Sequence, residues 1–332
     1  MVASRGAEAP LFYGSAGLAA RLQVVPFPIR QRENASPLPE FVSFSTLNVN
    51  EISFRRFERA SLLATDNRPL ATALMNYIYG INAVTEALKA RGRAFQWVGM
   101  AKERHDIRLQ RMIEDCRKLG VPVRFLTRVE LDHMAGRAAH QGVVAVTSAK
   151  QYSDLDDVVG AKRGQYSLVI VLDGVGDPHN LGALMRTADA AGADGVVIPE
   201  RRAAPVTGTV TKTSAGASEY LPIAKVTNIA RTVEELKDRN IWTVGLDERG
   251  PQTYDALDYN LDCALVLGAE GKGLHDLVKK KCDFLVSIPM LGKVPSLNVS
   301  VAGAVVMYEI VRQRRARDQA QNKEASSGTK SK

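Results

Sequence analysis

Residues 166–199, "YSLVIVLDGVGDPHNLGALMRTADAAGADGVVIP", decide the fold class. From Leu168 to Leu172 the chain is apolar at every position, with no polar alternation, so it predicts a strand buried on both faces. "NLGALMRTADAAGAD" reads as a helix and "GVVIP" as a second buried strand. A buried strand, a helix and another buried strand in succession build a parallel sheet covered by helices.

The alternation continues downstream. "TVEELKDRN" predicts a helix, "IWTVGLD" and "CALVLGAE" strands, "GLHDLVKKKC" a helix, "DFLVSIPM" a last strand and "VAGAVVMYEI" a closing helix. Upstream, residues 75–150 hold a smaller set: helices in "INAVTEALKA", "DIRLQRMIEDCRKLG" and "RVELDHMAG", strands in "FQWVGMA", "VPVRFL" and "GVVAVTSA". The expectation is a small α/β domain over 75–150, an Asp-rich linker over 151–165 ("QYSDLDDVVGAKRGQ"), a larger α/β domain over 166–314, and a flexible basic tail over 315–332.

Residues 1–74 differ in kind. They contain eight Arg, no Lys and six acidic residues, with scattered Pro and Ser and no sustained period of 2 or 3.6, so little packed structure is expected. Met75 opens "MNYIYGINAVTEALKA", which suggests that the natural protein starts there and that 1–74 is a misassigned start or dispensable leader. A transit peptide is the competing reading, favoured by Arg without Lys and weakened by the acidic residues.

Composition bounds the function. The 332 residues are 45% hydrophobic and 24% charged, the balance of a globular protein with a sizeable core. Cys116, Cys263 and Cys282 are odd in number, far apart and in no metal-binding spacing, which suits a reducing cytoplasm and no metal site. No apolar run approaches a membrane span, and the start lacks the pattern of a secretory signal, so no membrane association is expected. The net charge of +8 is uneven: +5 falls in 312–332, +3 in 75–160, +2 in 1–74, and 161–311 is −2. Most of the excess is therefore a terminal fringe, and the charge alone is weak evidence for nucleic acid.

Ligands of open parallel sheets sit beyond the carboxyl ends of the strands, and three such ends here are unusual. In "LDGVGDPHNLG" the glycine spacing fails a dinucleotide fingerprint, because Asp177, Pro178 and His179 fill the turn where phosphate needs bare backbone. What remains is Asn180 and Arg186 on one helix; singly, they read as a cap and a solvent-facing or ion-paired residue. "VLGAEGKGLHDL" sets Glu270 among Gly268, Gly271 and Gly273, which allow close backbone approach, yet it is not a P-loop. Third, "LGKVPSLNVSVAGAV" crowds Ser296, Asn298 and Ser300 at the start of an apolar helix, where one cap would suffice.

Together, "DPHNLGALMRTADAAGAD", "VLGAEGKG" and "SIPMLGKVPSLNVSVAGAV" resemble, in order, the three motifs of the SpoU (TrmH-type) branch of the SPOUT RNA methyltransferases. Residues 76–150, from "YIYGINAV" to "HQGVVA", resemble the ribosomal-protein-like substrate domain of the bacterial 23S rRNA guanosine-2′-O-methyltransferase subgroup. The resemblance implies a mostly parallel α/β domain with a deep C-terminal trefoil knot, a homodimer, and S-adenosylmethionine-dependent 2′-O-ribose methylation of RNA, with 23S rRNA favoured over tRNA. It further implies Arg186 as the central catalytic residue, with Asn180, Glu270, Ser296 and Asn298 around it. The backbone near Leu246, Gly268, Gly271, Ile288 and Leu297 would hold the cofactor. Arginine keeps its proton to a pH above about 12, so stabilising a developing alkoxide or gripping a neighbouring phosphate suits Arg186 better than acting as a base. The competing classes are a non-catalytic RNA-binding module, which would not need Glu270 or the glycines, and a Rossmann oxidoreductase, which would bind a nicotinamide.

Overall fold

Two sheets, each with its own helices, account for the chain from Asn76 on. The structure, a computed structural model, describes residues 76–328 apart from His105, with side chains to Asn322. The readings of 1–74 as a leader and of Met75 as the start lie outside the described residues.

The small lobe runs β1 (Asn76–Tyr79), α1 (Ile81–Ala90), β2 (Phe95–Ala101), α2 (Ile107–Lys118), β3 (Val123–Leu126), α3 (Arg128–Met134) and β4 (Val143–Thr147). Its sheet order is β1-β4-β2-β3, with β4 antiparallel to both neighbours and β2 parallel to β3. One face buries Ile78, Val98 and Met100 against Val84 and Leu88 of α1 and Leu109 and Met112 of α2; the other buries Tyr79 and Val144 against Leu131 of α3. Thr127 and Glu130 close a reciprocal capping box at the start of α3.

The large lobe continues with α4 (Leu155–Gly160), β5 (Leu168–Asp173), α5 (Pro178–Ala190), β6 (Gly195–Pro199), α6 (Gly208–Thr213), a 3-10 turn (Ala217–Glu219), β7 (Ile223–Val226) and α7 (Ile229–Asp238). It ends with β8 (Trp242–Leu246), β9 (Gln252–Thr253), β10 (Cys263–Gly268), α8 (Asp276–Lys281), β11 (Phe284–Ser287) and α9 (Val299–Gly328). Its seven strands lie in the order β7-β6-β5-β10-β8-β11-β9, all paired parallel. Every residue of β5 and β10 is buried, as unbroken apolar runs demand of central strands. Because the pairing is parallel, Asp173, Leu246 and Gly268 emerge at one edge of the sheet, and the loops that follow them gather there.

The structure departs from the sequence reading in three places. The segment expected as a linker over 151–165 contains α4, whose Val158 is fully buried in the core beneath the sheet, and Ser153 bridges to Ala224 of β7. The expected flexible tail over 315–332 is, as far as Gly328, a continuation of α9. Its stretch "RQRRARDQAQNKEASS" contains neither Gly nor Pro and is rich in strong helix formers, so charge alone was a poor guide. Arg314 fastens α9 by donating to the carbonyls of Tyr166, Ser167, Tyr259 and Leu261. Finally, β1, α6, β7 and β9 carry no sequence signal of their own, since runs of two to six residues show no measurable period.

Candidate active site

Asp177 sets the geometry at the end of β5. It caps α5, accepting from the backbone amides of His179 (3.2 Å) and Asn180 (3.1 Å), with Pro178 at the first helical position. This start turns Asn180 inward, to 8% exposure. Its Nδ2 donates to Glu270 Oε2 at 2.9 Å, and its Oδ1 accepts from Asn298 Nδ2 at 3.0 Å. Three strand ends, far apart in sequence, thus meet in one hydrogen-bonded chain: Glu270, Asn180, Asn298.

Asn298 also explains the crowded start of α9. Its Oδ1 accepts from Ser300 N (2.9 Å) and Ser300 Oγ (2.6 Å), and its carbonyl accepts from Ala302 N (2.9 Å), so it caps the helix with its oxygens while its nitrogen reaches Asn180. Gly303, one turn further on, lets α9 lie against Leu184 of α5 and Leu267 of β10; a Cβ there would come within 2.7 and 2.8 Å of their side chains.

Glu270 is held out by a tight loop. Ala269 and Gly273 exchange backbone hydrogen bonds of 3.0 and 2.8 Å, with Gly271 and Gly273 at φ 75° and 65°. A Cβ on Gly268 would sit 2.1 Å from the carbonyl carbon of Gly273, so the strand end must be glycine. Next to this loop, His275 donates its backbone N–H to Asp173 (2.8 Å) and sets Nδ1 2.9 Å from the same carboxylate oxygen.

The loops enclose a cleft of about 410 Å³. Leu246, Gly268, Gly271, Ile288 and Leu297 all line it, with Glu270, Ser296 and Asn298 at the same walls. Two further residues come into view: Asp247, at the end of β8, pairs with Lys279 of α8 at 2.6 Å, and both line the cleft. Burial pushes the Asp247 carboxyl up, but the Lys279 hydrogen bond and the Arg249 backbone N–H outweigh it and hold the group below the ordinary carboxylate range. A carboxylate directly after an apolar strand was the available signal for Asp247; Lys279 was hidden in a run of three lysines.

Arg186 stands apart. It lies on the exposed side of α5, is not a wall of the cleft, and makes no ion pair among the described residues. It lies six positions after Asn180, which places the two about 120° apart around a helix. No hydrogen bond joins Ser296 or Asn298 to Arg186; Asn298 turns to Asn180 instead.

Residues 167–308 match the model of the SpoU rRNA methylase family, and residues 77–153 match that of the RNA 2′-O ribose methyltransferase substrate-binding domain. YacO of Bacillus subtilis, named for the TrmH family of tRNA/rRNA methyltransferases, is 47% identical over 241 residues, covering 72% of this chain and 96% of that protein. The 23S rRNA (guanosine-2′-O-)-methyltransferase RlmB of Vibrio vulnificus is 44% identical over 245 residues, covering 72% and 98%. The chain belongs to the SpoU family.

As a SpoU enzyme it is an RNA 2′-O-ribose methyltransferase, and S-adenosylmethionine is the methyl donor of its family. The fold agrees: the SpoU methyltransferase AviRb of Streptomyces viridochromogenes, solved in complex with AdoMet, superposes with a TM-score of 0.63 at 26% identity, covering 78% of this chain and 97% of that one. Among the described residues of this SpoU methylase, no helix is long and apolar enough to cross a membrane, and no group of three His, Cys, Asp or Glu side chains is arranged to hold a metal ion.

Proposed function

We propose that this SpoU methylase transfers a methyl group from S-adenosylmethionine to the 2′-hydroxyl of a guanosine in 23S rRNA. The observation that carries the reading is the Glu270–Asn180–Asn298 chain at the wall of the cleft. The cleft suits the donor chemically. Gly268 and Gly271 leave bare backbone, Leu246, Ile288 and Leu297 give an apolar wall for a purine, and Glu270 and Asp247 offer carboxylates to a cationic, hydroxyl-rich molecule. When bound, the donor supplies an electrophilic methyl on a sulfonium.

The protein's own work is alignment and charge. Asn180 spends both ends of its amide on Glu270 and Asn298, which fixes Glu270 within the cleft and leaves its second oxygen free to accept from the ribose or the donor. Ser296, exposed at the wall, has its hydroxyl available to the ribose. Arg186, outside the wall and without an ion pair among the described residues, fits a grip on a phosphate of the bound RNA better than proton abstraction.

The small lobe supports rRNA as the substrate. Relatives named for 23S rRNA guanosine methylation match across both lobes, and residues 76–150 then serve as the substrate domain and 166–314 as the methyltransferase domain. A tRNA is the alternative, and the name of the Bacillus relative spans both. Action on ribosomal RNA fits a cytoplasmic enzyme. The same reading carries a trefoil knot through the loops around 246–250, 268–273 and 288–298. It also carries a homodimer, supported by Leu291, Val294, Val301 and Tyr308, which are 99, 67, 49 and 51% exposed along α9 and the loop before it. The test is incubation of unmodified 23S rRNA and of tRNA with the methyl-labelled donor, then mapping of the 2′-O-methylated nucleotide. Label at a single 23S guanosine is expected; label in tRNA alone would overturn the rRNA assignment.

A further inference from the structure

Arg93 of the small lobe and Glu219 of the large lobe form a two-pronged ion pair, with Nε to Oε2 and Nη2 to Oε1 both at 2.9 Å. The side chains are 1% and 0% exposed. Arg93 also reaches Thr211 Oγ1 and the Ser148 carbonyl, each at 3.5 Å, and Lys150 donates to the Glu219 carbonyl at 3.2 Å. Neither charged group can touch RNA or cofactor from there. A buried ion pair adds little net stability over an apolar pair of the same volume, because desolvation offsets the attraction. What its planar fork does specify is orientation.

The contacts around it carry that orientation to the catalytic helix. Backbone meets backbone where a Cβ on Gly208 of α6 would fall 2.2 Å from the Tyr77 carbonyl oxygen of β1, and a Cβ on Gly216 would fall 2.5 Å from Glu86 Cβ of α1. Tyr79 OH and Thr209 Oγ1 lie 2.8 Å apart, and Tyr220 OH donates to Glu86 at 2.7 Å. On its other side α6 presses on α5 at Gly182, where a Cβ would come 2.7 Å from Thr213 Cβ and 3.0 Å from the Val210 carbonyl. Gly182 is one helical turn before Arg186 and two residues after Asn180. The small lobe, α6 with its 3-10 turn, and α5 are therefore one stack.

We propose that Arg93 and Glu219 are positioning residues for methyl transfer: they lock the small lobe onto α6 in one orientation, so that RNA held by the small lobe meets α5 in a fixed register. The inference rests on the RNA-methylating function proposed above. It makes the small lobe a rigid presenting surface and not a tethered, swinging one.

Two readouts test it. The first needs no RNA: spin labels at exposed Glu114→Cys and Arg231→Cys, in a Cys282→Ala background, report the distance between lobes. A narrow distribution is expected for the otherwise native chain, and a broad one for Glu219→Gln and for the doubly apolar Arg93→Met/Glu219→Leu, which leaves no unpaired buried charge. The second is single-turnover methylation. In both variants the methyl-transfer rate should fall at least about tenfold, as misplacement of reacting groups does, while S-adenosylmethionine stoichiometry and RNA affinity stay near native. If Glu219→Gln loses donor stoichiometry it has failed to fold, and the double variant decides. A broad distribution in the native chain, or a double variant with native distances and rate, overturns the proposal. Lack of RNA methylation by the native chain would sink the functional reading instead, leaving the distance result to stand on its own.

Discussion

Arg186 is the residue at which the bland and the chemical readings of this sequence diverge most. Because it is exposed and makes no ion pair among the described residues, its replacement by Ala should change stability by less than about 0.5 kcal/mol. The same Arg186→Ala change is expected to lower methyl transfer at least about a hundredfold, the scale of losing one electrostatic group, with donor binding intact. Single-turnover assays beside calorimetric titration with S-adenosylmethionine separate the two. Arg186→Lys should recover part of the rate, because a grip on phosphate needs the charge more than the fork; no recovery would favour two-pronged orientation. Asn180 differs: it is buried and serves two partners, so Asn180→Ala strands both Glu270 and the Asn298 amide. A stability loss of about 1–3 kcal/mol is expected by denaturant unfolding, together with weaker donor binding. In the sequence Asn180 looked like a helix cap, yet Asp177 holds that post. Both residue types cap well, and only the direction of the side chain separates the roles.

At the scale of the element, the loop after β10 makes a sharp contrast between two glycines. Gly268→Ala would drive a Cβ to 2.1 Å from backbone that is itself bonded across the Ala269–Gly273 turn, leaving no side chain that could move aside. Loss of more than about 3 kcal/mol, or failure to fold, is expected by thermal melting. At Gly271 nothing lies within 4 Å, and only the positive φ of 75° opposes a side chain, so Gly271→Ala should cost about 1–2 kcal/mol and leave the fold in place. An equal effect of both changes would contradict the close approach described. The sequence marked this loop as unusual through its three glycines, but it could not tell which is required by space and which by φ.

At the scale of the molecule, the exposed apolar residues of α9 and the loop before it predict self-association. Sedimentation at micromolar concentration should show a dimer, and Leu291→Asp with Val301→Asp should shift it to monomer without unfolding it, since both side chains are exposed in the single chain. A native chain that sediments as an active monomer would count against the homodimer.

The sequence by itself determined the layering of this protein. Apolar runs such as Leu168–Leu172 suit strands buried on both faces, as in a parallel sheet flanked by helices, and the three polar strand ends marked the candidate ligand site. The tertiary structure alone decided which polar groups meet. Asn180, Glu270 and Asn298 are separated by up to 118 residues, and their partnership follows from β10 pairing beside β5 and α9 packing on α5 at Gly303, neither of which leaves a local period. It also turned Arg186 outward, and it buried Arg93 against Glu219, two charges that composition counts as surface. Local pattern fixes which face of an element is apolar, whereas the meeting of distant side chains depends on strand order and helix packing, which no stretch of sequence encodes alone.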